Sequence, residues 1–253
     1  MIVHDARNPV AVRNAEALRA GLHRADLDES DLSDLTVVIG GDGFLLHTIN
    51  ERGLDPIYLG LNAGRVGFLL NDVEDWTATA KALKDRAWRP ATFPMLRAEC
   101  ESVTGETITA DAVNDLYLER ASGQTARLGL TVDGSKVVET LVSDGIIIST
   151  ALGSTAYNFS AGGPACHPSL RILAVTPICP HLPRLPPFAI PEDSHIEVEV
   201  QAPERRPVRA VADGRHVAQV HRVRVSVGPR SLRLAYLPGH DLTARMIKKI
   251  LHP

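Results

Sequence analysis

Residues 36–43, Thr36-Val37-Val38-Ile39-Gly40-Gly41-Asp42-Gly43, pass from an apolar run into three glycines that enclose one aspartate. Glycine places no Cβ over the backbone, so such a turn opens its N–H groups to an anion, above all to phosphate oxygens. A carboxylate beside phosphates is repelled unless a metal or a proton intervenes. A phosphate cradle with an acid at its centre therefore points to chemistry on the phosphate. Gly40, Gly41 and Gly43 are the candidate phosphate ligands and Asp42 the candidate acid or base; a tight strand–helix turn with Asp42 capping the next helix is the competing structural reading. The common alternatives fail on spacing. No Gly-Lys-Ser/Thr follows, as a P-loop requires, and residue 46 is leucine where the dinucleotide fingerprint needs glycine.

Three further clusters carry polar groups in unusual settings. Asn62-Ala63-Gly64-Arg65-Val66-Gly67-Phe68-Leu69 offers a second glycine turn, with Arg65 as a phosphate clamp or as a plain solvated side chain. Val113-Asn114-Asp115 interrupts an apolar stretch with an amide and a carboxyl. Buried, these need partners, which a ligand's hydroxyls or base edge can supply; a bulge or hairpin end with internal hydrogen bonds satisfies them equally. Residues 143–164 lead from the apolar run Gly145-Ile146-Ile147-Ile148 into Ser149-Thr150-Ala151-Leu152-Gly153-Ser154-Thr155-Ala156-Tyr157-Asn158-Phe159-Ser160. Small side chains let a flat ligand lie against backbone, and hydroxyls and an amide orient it.

The elements that must position these clusters change character near residues 90–94. Before that point, short apolar runs (Ile2-Val3, Leu35 to Ile39, Ile57 to Gly60) alternate with helical patterns (Val12 to Leu22, the segment from Phe44, Thr77 to Lys84). Asp26 to Asp34 reads as an acidic loop. Such alternation predicts a parallel sheet covered by helices. Beyond it, Met95 to Glu101, Ala112 to Glu119, Arg127 to Val132, Gly145 to Ser149, His195 to Val200 and Val220 to Val227 read as strands. Asp133-Gly134, Asp213-Gly214 and Gly228-Pro229 read as turns, and Pro177 to Pro191 as an ordered loop. The fold expected is an α/β N-terminal domain with a parallel sheet, residues 1–92, and a β-rich, sandwich-like domain, residues 93–235. A helical tail, residues 236–253, is free to pack on the first.

At 253 residues with 44% hydrophobic and 23% charged residues, the chain is long enough for one large or two smaller soluble domains. A net charge of −3 and 4% aromatics give neither the basic field nor the stacking platforms of a nucleic-acid binder. Cys100, Cys166 and Cys179 form no CxxC pair, as expected of buried thiols in a reducing compartment. No signal peptide pattern and no apolar run of membrane length is present, so a cytoplasmic location without a membrane partner is expected.

Taken together and in order, the four clusters resemble the NAD kinases. That family carries Gly-Gly-Asp-Gly, an Asn-x-Gly-x-hydrophobic-Gly-Phe segment, an Asn-Glu pair and a Thr-x-x-Gly-Ser-Thr-Ala-Tyr stretch. The resemblance continues through Gly162-Gly163-Pro164, His167-Pro168 and Thr176-Pro177-Ile178-Cys179-Pro180-His181, and spans roughly residues 35–215. It implies that Asp42 activates the adenosine-ribose 2′-hydroxyl of NAD, and that Asn114 and Asp115 hold the adenosine and ribose. It places Asp144 near the bound dinucleotide, Thr155, Ala156, Tyr157 and Ser160 beside its adenine and ribose, and Phe68 in the pocket lining.

The implied activity is transfer of a phosphoryl group from ATP or polyphosphate to NAD, giving NADP, with Mg²⁺ arriving on the donor phosphates rather than in a protein cage. The family binds NAD close to a neighbouring subunit, which implies a homo-oligomer, dimer or tetramer. Three departures stand out: Phe44 where threonine often follows the glycine turn, Asp115 where glutamate is usual, and Ala151-Leu152 in place of the usual Pro and Thr or Ser. Two rival readings remain open. Lipid and sugar kinases share the glycine turn, and a non-catalytic NAD(P)-binding sensor needs only the pocket.

Overall fold

The computed structural model describes residues 1–65 and 67–251; Val66, inside the second cluster, lies outside the described residues, as do His252 and Pro253. The chain forms two compact units, Met1–Phe93 with Ser231–Pro253, and Pro94–Arg230.

The first unit begins with strand β1 (Ile2–His4), helix α1 (Pro9–Arg24), β2 (Leu35–Gly40), α2 (Asp42–Arg52), β3 (Ile57–Asn62) and α3 (Trp76–Lys84). Asn8 caps α1 by accepting the N–H of Val10 at 2.9 Å, and Pro9 follows at the first helical position, where a missing N–H costs nothing. The spacing of Ala11, Ala15, Leu18 and Leu22 puts one stripe of α1 in the core. All six residues of β2 are buried, as in a strand covered on both faces. It pairs in parallel with β1 (Ile2 opposite Val37) and with β3 (Leu35 opposite Ile57, through Gly40 opposite Asn62). Parallel pairing needs crossovers, and α1 and α2 supply them.

The second unit is built from antiparallel strands. In chain order these are β4 (Arg89–Ser102, whose first residues belong to the first unit), β5 (Thr107–Ala112), β6 (Asp115–Arg120), β7 (Ala126–Val132), β8 (Ser135–Ser143) and β9 (Gly145–Thr150). A 3₁₀ turn at Gly153–Thr155 and helix α4 (Tyr157–Ser160) follow. Then come β10 (Ile172–Ile178), β11 (Phe188–Pro191), β12 (Ile196–Val200), β13 (Val208–Ala212) and β14 (Arg215–Tyr236), and the chain ends in α5 (Leu242–Leu251). Inward residues of nearly all these strands, among them Leu96, Leu118, Leu128, Ile148, Val175, Val198, Ala210 and Val223, share one core. The last residues of β14 belong to the first unit and add a fourth parallel strand there, with Leu234 opposite Tyr58.

The fold class is therefore as the sequence predicts, and several local readings are corrected. The stretch 112–119 is not one strand: the chain bends at Val113-Asn114, separating β5 from β6. Gly228-Pro229 is not a turn but lies inside β14, which runs 22 residues. Glu29–Leu32 forms a 3₁₀ turn within the expected acidic loop, closed by Asp31, whose carboxylate accepts the Asp28 N–H at 2.8 Å. The expected loop 177–191 ends in strand β11. Asp133-Gly134 and Asp213-Gly214 are turns, each with both residues at positive φ (48° and 76°, 46° and 74°), the geometry of a tight two-residue hairpin.

Candidate functional site

In the first unit the two glycine clusters lie side by side. The Gly40 carbonyl accepts the Ala63 N–H at 2.8 Å, and a Cβ added at Gly64 would stand 3.8 Å from Gly41 Cα. Such a Cβ at Gly41 or Gly43 meets nothing within 4 Å, so the backbone there is open on its outer side; at Gly40 it would come within 2.7 Å of the Phe44 ring. The open face suits an anion approaching the start of α2, an eleven-residue helix. Asp42 is the first residue of that helix, and both of its carboxylate oxygens are tied. Oδ2 accepts the Phe68 N–H and Oδ1 the Leu69 N–H, each at 2.9 Å. Each oxygen keeps a further acceptor position, so the carboxylate is oriented yet able to take a proton. Arg65 is exposed, and Phe68 is buried at 2%.

In the second unit Asn114 and Asp115 sit at the bend between β5 and β6, held by Asp213. Its carboxylate accepts three consecutive backbone N–H groups, Val113 at 2.7 Å, Asn114 at 2.8 Å and Asp115 at 3.3 Å. The Asn114 carbonyl accepts Thr150 N–H at 3.0 Å and Ser149 hydroxyl at 3.1 Å. With its backbone consumed, the Asn114 side-chain amide has no partner among the described residues. Asp115 is 4% exposed, and burial, with the Asp213 carboxylate nearby, pushes its carboxyl up to about 7. Asp213 is also raised, by burial working against its three N–H bonds.

The dense hydroxyl run is divided between scaffold and surface. Thr150 donates to the Val113 carbonyl at 2.8 Å, Ser154 to Ala151 at 2.7 Å, and Asn158 to Ser154 at 2.9 Å, so these three side chains hold the turn together. Gly153 is required by contact: a Cβ there would fall 2.1 Å from the Asn114 carbonyl oxygen. What remains for a ligand is Thr155 at the end of the 3₁₀ turn (buried), Ala156 (half-buried), and Tyr157 and Ser160 on α4 (exposed). Tyr157 packs edge-on against Tyr117 with ring centroids 5.0 Å apart, and both phenols are raised, first by burial and then by Glu119. Asp144 pairs with Arg120 at 2.6 Å and, with Glu119, Tyr157 and Ile178, lines a cavity of about 320 Å³.

The fold thus gathers Asn114 and Asp115 with the turn carrying Thr155 and Ala156, and Asp144 with Tyr157, in the second unit. Asp42, the glycines and Phe68 are gathered in the first. Sequence reading missed the residues that hold these in place. Asp213 had a signal, an acid before glycine that closes the mostly apolar strand Val208–Ala212, where Arg209 is the one charged residue. Leu69 had none, since it contributes only its amide. Among the described residues no group of three or more His, Cys, Asp or Glu gathers to hold an ion.

Comparison with known proteins adds an independent observation. The family model of the ATP-NAD kinase C-terminal domain matches residues 113–237. The NAD kinase of Hyphomonas neptunium is 39% identical over 223 residues, 86% of this chain and 85% of the relative, and that of Clostridium beijerinckii is 32% identical over 262 residues, 100% of this chain and 89% of the relative. The chain belongs to the NAD kinase family. It is a phosphotransferase that converts NAD to NADP. Its fold matches two solved members of the family at low identity. Yeast NADH kinase complexed with NADH gives a TM-score of 0.81 at 22% identity (99% of this chain, 86% of that one). An NAD kinase from Archaeoglobus fulgidus in complex with ATP gives 0.78 at 23% identity (99% and 97%). No helix among the described residues of this NAD kinase is long and apolar enough to cross a membrane.

Proposed function

We propose that Asp42 is the general base that takes the proton of the adenosine-ribose 2′-hydroxyl of NAD while the glycine turn at residues 40–43 holds the phosphate donor. The observation that carries this reading is the pair of 2.9 Å bonds from the Phe68 and Leu69 amides, one to each Asp42 oxygen. They aim the carboxylate by the loop after β3 rather than by the phosphate turn, so donor binding and proton acceptance are separate tasks. Phosphoryl transfer has a loose transition state, for which alignment and charge neutralisation matter most. The unit of residues 1–93 and 231–253 then serves as the donor and catalytic domain, with Arg65 exposed for donor phosphates, and residues 94–230 as the NAD-binding domain.

NAD would be held by Asn114, Asp115, Asp144, Thr155, Ala156, Tyr157 and Ser160. The Asn114 amide supports this, since its backbone is spent and its side chain has no partner among the described residues. Asp115, protonated through much of the range below about pH 7, could there donate to a ribose oxygen as well as accept from one. ATP is the donor we favour, from the family's ATP-bound relative; Mg²⁺ would travel with its phosphate oxygens and neutralise their charge. Self-association into a dimer or tetramer belongs to the same reading.

Replacing Asp42 with Asn keeps the shape and removes the base. NAD affinity, read by calorimetry, should stay within about threefold, while NADP formation falls by about 10²–10⁴-fold. Wild-type turnover in Asp42→Asn would refute the role. A coupled assay run with NAD and NADH against ATP and polyphosphate identifies donor and acceptor together.

A further inference from the structure

The amides that orient Asp42 belong to a turn that is itself anchored from the far end of the sequence. Gly67 opens the turn at a positive φ of 58°, and its carbonyl accepts a hydrogen bond from Arg245 Nη1 at 2.5 Å. Arg245 lies on α5, 8% exposed, and its Nη2 pairs with Asp72 Oδ2 at 2.7 Å. The other Asp72 oxygen accepts Asn62 Nδ2 at 2.9 Å, and Asn62 Oδ1 accepts the Gly64 N–H at 2.8 Å. A Cβ at Gly67 would strike the Asn62 side chain at 2.6 Å, so only glycine fits where the turn passes Asn62. One buried guanidinium therefore fastens both the beginning of the turn, at Gly67, and its exit, at Asp72. A planar fork with parallel donors does this where an ammonium supplies a single point of charge. Asp72 is held below the usual carboxylate range by its bonds to Asn62 and Arg245, which outweigh its burial.

We propose that Arg245 is a positioning residue for catalysis: by locking the turn at residues 67–72, it holds the Phe68 and Leu69 amides where they aim the Asp42 carboxylate. The inference rests on Asp42 acting as the base. A structural role alone would make Arg245 only a fastener for α5, so the readout must separate rate from stability and binding. Arg245→Ala should lower kcat by about 10–100-fold, as expected for misplacement of a catalytic group by a fraction of an ångström to an ångström. KM for NAD and for ATP should stay within about threefold.

A cavity of about 630 Å³, lined in part by Asp72, His240 and Arg245, gives a small cation a route to the vacated space. Added guanidinium should then restore part of kcat in Arg245→Ala and none in Asp42→Asn. Asp72→Asn, which keeps the arginine but weakens its anchor, covers the case in which Arg245→Ala does not fold; its kcat should fall about three- to tenfold with thermal stability little changed. Unaltered kcat in a folded Arg245→Ala overturns the proposal. So does a loss accompanied by a matching rise in KM with no rescue by guanidinium, and so does full turnover in Asp72→Asn. If Asp42→Asn turns over like wild type, the premise fails instead; if it is inactive while Arg245→Ala is fast, only the positioning role fails.

Discussion

At the scale of single residues, the acids of this NAD kinase divide by environment. Asp42 is aimed by two amides on a half-exposed helix start, whereas Asp115 is buried beside a second carboxylate. Burial favours the protonated form of Asp115, with a consequence for stability. Between the ordinary carboxyl value of 3.8 and about 7, the unfolded chain has released this proton and the folded chain retains it. Stability from Asp115 is thus present at low pH and declines as pH rises through that window, by at most about 1.4 kcal/mol per pH unit. Asp115→Asn, an uncharged mimic of the protonated acid, should match wild type near pH 4 and exceed it increasingly up to pH 7. Urea unfolding of both proteins across this range checks the sign; a gap that shrinks with pH contradicts it. Neither acid's environment is legible from residue type. The sequence marks Asp42 and Asp115 as interesting because polar residues stand in apolar or glycine-rich settings, and nothing local records that Phe68, Leu69 or Asp213 will meet them.

At the scale of elements, the bend between β5 and β6 is the feature that exposes Asn114. A continuous strand over 112–119 would spend backbone amides on a ladder; here three of them are spent on the Asp213 carboxylate instead. Removing that acceptor strands three N–H groups, two of them bonded at 2.8 Å or shorter. Asp213→Ala should destabilise the protein by about 1–3 kcal/mol, the cost of leaving buried N–H donors without an acceptor, and raise KM for NAD more than it lowers kcat. Gly153→Ala tests the same bend from the other side, since its new methyl must displace the Asn114 backbone. The strand–helix order of the first ninety residues was readable because buried parallel strands and amphipathic helices have different periods. The length of β14 was not, because Gly228-Pro229 is a turn signal that strand pairing overrode.

At the scale of the whole molecule, the described residues form two hydrophobic cores, one confined to each unit. The larger, shared by the strands of the second unit, includes fully buried Leu118. Leu118→Ala should cost about 2–5 kcal/mol, and hydrogen exchange should quicken in strands of residues 94–230 while β1–β3 keep their protection. Uniform loss of protection across both units would show that they unfold as one.

The sequence by itself determined the class of protein and the chemistry at issue. Glycines around an aspartate, small hydroxyl residues after an apolar strand, and their order are local facts that folding does not alter. Tertiary structure decided which of those groups remain available. Thr150, Ser154 and Asn158 are consumed in holding a turn, while among the described residues the Asn114 amide is left over. It also decided what aims the acid, because an amide or a guanidinium 26 to 203 residues away from Asp42 in sequence becomes its support only when the chain closes. Spacing in a sequence records what a residue is; hydrogen-bond partners depend on which distant backbone arrives.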